Sequence, residues 1–80
     1  MAVLSKAERR QKLAQLAGQE GFDDVQGLLE EAAGDSVSPG ICVRPGCDYS
    51  TEVEPDCAEG WCEACGTPSV QSALVLADLI

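Results

Sequence analysis

Apolar residues recur at helical spacing in the first half of the chain and give way to turn-rich sequence punctuated by cysteines in the second. Val25, Leu28, Leu29, Ala32 and Ala33 fall at i, i+3, i+4, i+7 and i+8, the stripe of an amphipathic helix, which Gly34 closes. Asp23 is its expected N-cap, with Gln26 completing a capping box. An earlier helix is predicted over about Lys6–Gln19. Ser5 and Glu8 form its capping box, good helix formers follow, and Gly18 or Gly21 ends it. Its apolar face, Leu13, Leu16 and Ala17, is thin, so this helix is expected to be the least stable element and to fray.

Ser36, Ser38, Pro39 and Gly40 break the helical pattern, and 36–40 reads as a linker. Tyr49 to Glu54 reads as a strand stopped by Pro55-Asp56, with a partner strand leading into or out of the cysteines. The tail is ambiguous between strand and helix. Thr67-Pro68-Ser69 looks like an N-cap followed by proline at the first helical position, and Gln71 and Asp78 lie seven apart on one helical face. Ala73 to Ala77 lacks the alternation of a half-buried strand, so the pattern favours a short, buried apolar helix after Thr67.

These elements give one small α+β domain over 1–80: a helical hairpin (1–35), the linker, and a cysteine-bearing half with its C-terminal helix (41–80). A chain of this length buries only about 60% of the surface that its unfolded form exposes, so the core needs a staple. The five cysteines are the candidates. The start Met1-Ala2-Val3-Leu4-Ser5-Lys6 has no apolar run after a basic patch, hence no expected signal peptide, and the cysteine count is odd. Both point to a reducing, cytoplasmic setting rather than a disulfide framework. No stretch approaches the roughly 18–20 apolar residues needed to cross a bilayer, so a soluble protein with no membrane partner is expected.

Charge narrows the chemistry further. The net charge is −9 and is unevenly placed: Lys6, Arg9, Arg10 and Lys12 sit near the start, and only Arg44 offsets the acids that follow Gly18. Such a field repels phosphate backbones. The two helices around a Gly-containing turn resemble a helix-turn-helix, but the second carries Asp23, Asp24, Glu30 and Glu31 and no base. Nucleic acid is therefore an unfavoured partner, with the basic first helix as its only foothold. Histidine is absent, which removes the commonest general base and every mixed Cys/His metal site, so no enzymatic role is expected.

Cys62-Glu63-Ala64-Cys65-Gly66 is the strongest motif. Two thiolates three positions apart on a tight turn point into one tetrahedral site, and the glycine lets backbone N–H groups approach the sulfurs. Cys42-Val43-Arg44-Pro45-Gly46-Cys47 is a wider clip turned by Pro45-Gly46. A hairpin between two such clips is the two-knuckle arrangement of a zinc ribbon, with Cys42, Cys47, Cys62 and Cys65 holding one Zn2+ per chain. Buried, reduced core cysteines are the plain alternative. Cys57 reads as free or as lying just outside the ligand set, although it also stands where it could replace Cys62. Cys57-Ala58-Glu59 before Cys62-x2-Cys65 superficially matches a zinc deaminase signature. Trp61 occupies the place of that family's proline, and the chain is too short for its fold.

The run Gly40-Ile41-Cys42, Cys47-Asp48-Tyr49, Glu54-Pro55-Asp56 and Gly60-Trp61-Cys62-Glu63-x-Cys65-Gly66-Thr67, ending in an apolar tail, resembles short uncharacterised proteins of bacteria and their phages. The resemblance covers about Gly21 to Ile80. It implies a rubredoxin-like or zinc-ribbon metal site at Cys42, Cys47, Cys62 and Cys65 and supplies no activity. Three roles follow. The first is a structural zinc protein acting as an interaction module for a protein partner, with the Leu/Val/Ile-rich tail as contact surface. The second is electron transfer by an iron-loaded site, although rubredoxin-like proteins resemble a paired C-x2-C-Gly arrangement and the first clip here is wider. The third is a nucleic-acid-associated zinc ribbon.

Overall fold

The computed structural model describes residues 5–79; the start at Met1–Leu4 and Ile80 at the tip of the apolar tail lie outside the described residues. Helix α1 spans Lys6–Gln19. The Ser5 hydroxyl accepts from the Glu8 N–H and the Glu8 carboxylate accepts from the Ser5 N–H, closing the expected capping box. At the other end Gly21 adopts φ +82°, and the Phe22 N–H reaches back to the Ala17 carbonyl at 2.9 Å. This left-handed glycine stop fixes the exit from the helix. Helix α2 spans Val25–Ala33. Its N-cap is Asp24, which accepts from the Gly27 N–H at 2.8 Å, one residue later than the Asp23 cap expected from sequence. Two consecutive aspartates offer the same capping chemistry, and only the chain's entry angle selects between them.

Four antiparallel strands follow: β1 (Ser38–Cys42), β2 (Ser50–Val53), β3 (Gly60–Cys62) and β4 (Thr67–Ser72), in the order β2-β1-β4-β3. The hairpin read between the two cysteine clips does not form, because β2 and β3 lie at opposite edges of the sheet, paired to β1 and β4. Two further expectations change here. The linker read over 36–40 stops short, because Ser38-Pro39-Gly40 is strand. The Cys42 N–H bonds Tyr49 on the β2 side and the Val43 N–H bonds Ser69 on the β4 side. By alternation the nitrogen of Pro39 points to the β4 side, where β4 has already ended at Ser72, opposite Gly40. The missing N–H therefore costs no ladder bond. Gly40 is required by proximity: a Cβ there would lie 2.8 Å from Val53 Cγ2 and 3.0 Å from the Gln71 carbonyl.

The second change concerns the tail. Thr67-Pro68-Ser69 opens β4, not a helix, and Val70 and Ser72 alternate inward along the strand. The helix exists but is one turn long, α3 (Ala73–Leu76), capped by the Ser72 hydroxyl on the Val75 N–H. Asp78 at φ +62° ends it, with the Leu79 and Asp78 N–H groups returning to Leu74 and Val75.

The helices pack together against the sheet. Leu13, Leu16 and Ala17 of α1, Leu28 of α2, Ile41 of β1, and Ala73 and Leu76 of α3 form one buried cluster. The thin face of α1 is thus fully used. The tail is buried from Ala73 to Leu76 apart from half-buried Val75, as the apolar run predicts, which leaves little of it as a contact surface; Leu79 stands out in solvent. No helix among the described residues is long and apolar enough to cross a membrane.

Candidate metal centre

Two turns and two strand ends assemble the site. Cys42 ends β1 and Cys62 ends β3, with β4 between them; both are fully buried around Val70. After Cys42 the chain folds back through Arg44-Pro45-Gly46-Cys47, where the Cys47 N–H donates to the Arg44 carbonyl at 3.1 Å and Gly46 takes φ +80°. Proline at the second and a positive-φ glycine at the third position make this a type II turn. After Cys62 the Cys65 N–H donates to Cys62 Sγ at 3.3 Å and the Gly66 N–H to the Cys62 carbonyl at 2.7 Å, with Gly66 at φ +67°. Each turn presents its second cysteine toward the first.

The result is one cluster of four sulfurs, Cys42, Cys47, Cys62 and Cys65, all within 4.8 Å of one another. The pairs that cross between the turns, Cys42–Cys65 and Cys47–Cys62, lie 3.9 and 3.8 Å apart. Four sulfurs around one ion at about 2.3 Å would be separated by about 3.8 Å along each tetrahedral edge. The donor set suits a tetrahedral ion, and the two crossing pairs already stand at that edge length.

The thiols are in electrostatic conflict as they stand. Burial pushes the Cys42 thiol up, but hydrogen bonds from the Ser69 hydroxyl, the Arg44 backbone, Cys47 and Cys62 outweigh it and bring it down to about 7. Cys65 is pushed up to about 12, chiefly by its hydrogen bond with Cys47, with burial, Cys62, Cys42 and the Cys42 charge adding to the rise. Cys42 thus gives up its proton readily while Cys65 keeps its own, chiefly in the hydrogen bond with Cys47, and the two titrate as members of one coupled cluster. A divalent cation resolves the conflict by taking the sulfurs as thiolates.

Cys57 stands outside this cluster. Its N–H closes a turn onto Glu54 and its carbonyl accepts from the Ser72 N–H, while the Ser72 hydroxyl donates to Pro55 at 2.6 Å. These bonds hold the 54–57 turn against the β4–α3 junction. Gly60 faces the Cys57 sulfur, which would lie 3.1 Å from any Cβ at that position.

Three residues at the site were not singled out from sequence. The Ser69 hydroxyl lies 3.1 Å from Cys42 Sγ and 2.9 Å from Thr67 Oγ1. Lys12 Nζ donates to the Arg44 carbonyl at 2.9 Å and also to the Cys47 carbonyl. Gln19 donates to the Asp48 carbonyl at 3.0 Å and accepts from the Ser50 hydroxyl at 2.6 Å. For Ser69 the available signal was strand alternation after Thr67. For Lys12 it was a cation adjoining the Leu13 and Leu16 stripe of α1.

Comparison with known families, curated proteins and solved structures returns no match to this chain. What the site does rests on its own chemistry.

Proposed function

We propose that the chain is a structural zinc protein in which Cys42, Cys47, Cys62 and Cys65 hold one Zn2+, and that it serves as a non-catalytic module for binding another protein. The observation that carries this reading is the gathering of four sulfurs within 4.8 Å of one another, with the two crossing pairs at 3.8 and 3.9 Å. Four thiolates complete the coordination of zinc and leave no position for substrate or water, the mark of structural rather than catalytic sites. Trp61, 59% exposed beside buried Cys62, supports the partner-binding half, since tryptophan is among the side chains enriched where proteins meet. The net charge of −9 favours a protein partner over nucleic acid.

Iron shares this coordination geometry, and an iron-loaded site would make the chain an electron carrier. Metal analysis of protein purified without added metal, with a visible spectrum, tests the proposal. Colourless protein carrying one zinc per chain is the expected result. A red, iron-loaded protein would install the electron-transfer reading, and a protein with no stoichiometric metal would remove both. The nucleic-acid reading predicts salt-sensitive duplex binding lost when Arg9 and Arg10 are replaced by Ala; we expect no such binding at micromolar protein in roughly 150 mM salt.

A further inference from the structure

Lys12 is one of five cationic residues in a chain of net charge −9, and it is buried, at 8% exposure. Lysines on a helix ordinarily bury the stem and carry the ammonium to water. This one turns its ammonium inward, onto the carbonyls of Arg44 and Cys47. Those two carbonyls bracket the Pro45-Gly46 turn, and one of them belongs to a proposed metal ligand. Seven residues on, along the same face of α1, Gln19 takes the Asp48 carbonyl and the Ser50 hydroxyl. One helical stripe therefore holds the first cysteine turn through Lys12 and the segment leading from it into β2 through Gln19, beside the site where four thiolates around a divalent ion would leave a formal excess of two negative charges.

We infer that Lys12 is a positioning residue of the metal site: its ammonium fixes the Arg44–Cys47 turn in the geometry that presents Cys47, and its charge offsets part of the thiolate excess. The inference rests on the metal reading above. Groups outside the ligand set tune metal centres through orientation and through charge, and the two contributions separate experimentally. Lys12→Met removes donor and charge and keeps an apolar stem; Lys12→Gln keeps a donor and removes the charge. Affinity is read by competition with a chelator on the full-length, zinc-loaded chain. Charge is read as the reduction potential of the same proteins loaded with iron, because the reduced site carries one more negative charge and a nearby cation favours it.

Lys12→Met should lower zinc affinity about 10–100-fold. Both variants should shift the iron potential to more negative values, Lys12→Gln doing so even where it retains most of the affinity. Lys12→Gln alone decides the charge contribution should the methionine variant fail to fold. Zinc affinity of a folded Lys12→Met protein within about twofold of the parent, or a potential unmoved in Lys12→Gln, overturns the inference. A parent protein that binds no metal defeats the underlying metal reading instead.

Discussion

Ile41 and Cys42 are neighbours on β1 and face opposite sides of the sheet: Ile41 is buried among the leucines of α1, α2 and α3, and Cys42 is buried in the sulfur cluster. The helical core and the proposed metal centre therefore share one strand, and whatever orders Cys42 also orders Ile41. Removing the metal should accordingly loosen both clusters. A four-thiolate zinc contributes an apparent ~10–16 kcal/mol at neutral pH, against the few kcal/mol available to a core this small. Hydrogen exchange with and without chelator checks this, with loss of protection expected at Val53 and Val70 and in α2. The grip of Lys12 and Gln19 adds α1 to the elements released. Amides around Val70 that stay protected once the metal is shown to be gone would mean that the fold stands without it.

The ligand set can be tested by single replacements. Cys57→Ser should retain one metal per chain, because its sulfur lies outside the cluster, whereas Cys62→Ser or Cys65→Ser should abolish tight binding. Stoichiometric zinc in a Cys65→Ser protein, with Cys57 shielded from alkylation, would replace one ligand by another.

Acid should release the metal, and the sign follows from the thiols. Cys42 is an acid whose value in the fold is lowered from 9.0 to about 7, so its contribution to stability is present above 9.0 and is lost as pH falls through about 7. Cys65, raised from 9.0 to about 12 in the metal-free cluster, works in the opposite sense: its contribution is present below 9.0 and is lost as pH rises through about 12. Binding a metal removes this opposition by deprotonating all four sulfurs, so several protons compete with each ion. Release followed with a chromogenic indicator should begin below neutral pH and steepen to more than a tenfold loss of affinity per unit, on the order of one further factor of ten for each thiolate protonated. Tenfold per unit or less would mean that no more than one proton competes with the ion, which contradicts a site of four thiolates.

Gly40→Ala tests the packing of the sheet on the side of the sulfur cluster. The added methyl meets Val53 at 2.8 Å and the Gln71 carbonyl at 3.0 Å in the middle of the sheet. Overpacking of this kind costs about 1–3 kcal/mol. Denaturant titration of the zinc-loaded protein should show that loss; an unchanged midpoint would mean that β1 and β2 separate more easily than their register implies.

The sequence was most legible where local chemistry decides the outcome. The Ser5–Glu8 capping box and the Gly21 stop set both ends of α1 without help from the rest of the chain. Pro45-Gly46 and Gly66 likewise announce the turns that gather four cysteines distant in sequence. Legibility failed where tertiary context overrides local preference. Pro39 and Gly40 are strand breakers by propensity, yet they sit in β1 because the proline nitrogen faces no partner and the glycine meets Val53 too closely for a side chain. Thr67-Pro68-Ser69 carries helix-start chemistry, yet pairing with β3 and β1 draws it into β4. The polar attachments of α1 were likewise hidden, because Lys12 and Gln19 find their partners far along the chain, at Arg44, Cys47, Asp48 and Ser50.

X-ray absorption at the zinc edge of the purified protein tests the central claim, that these four cysteines together hold one metal, most directly. The account predicts a first shell of four sulfur scatterers at about 2.3 Å and no lighter ligand. A shell containing nitrogen or oxygen, or fewer than four sulfurs, would contradict it.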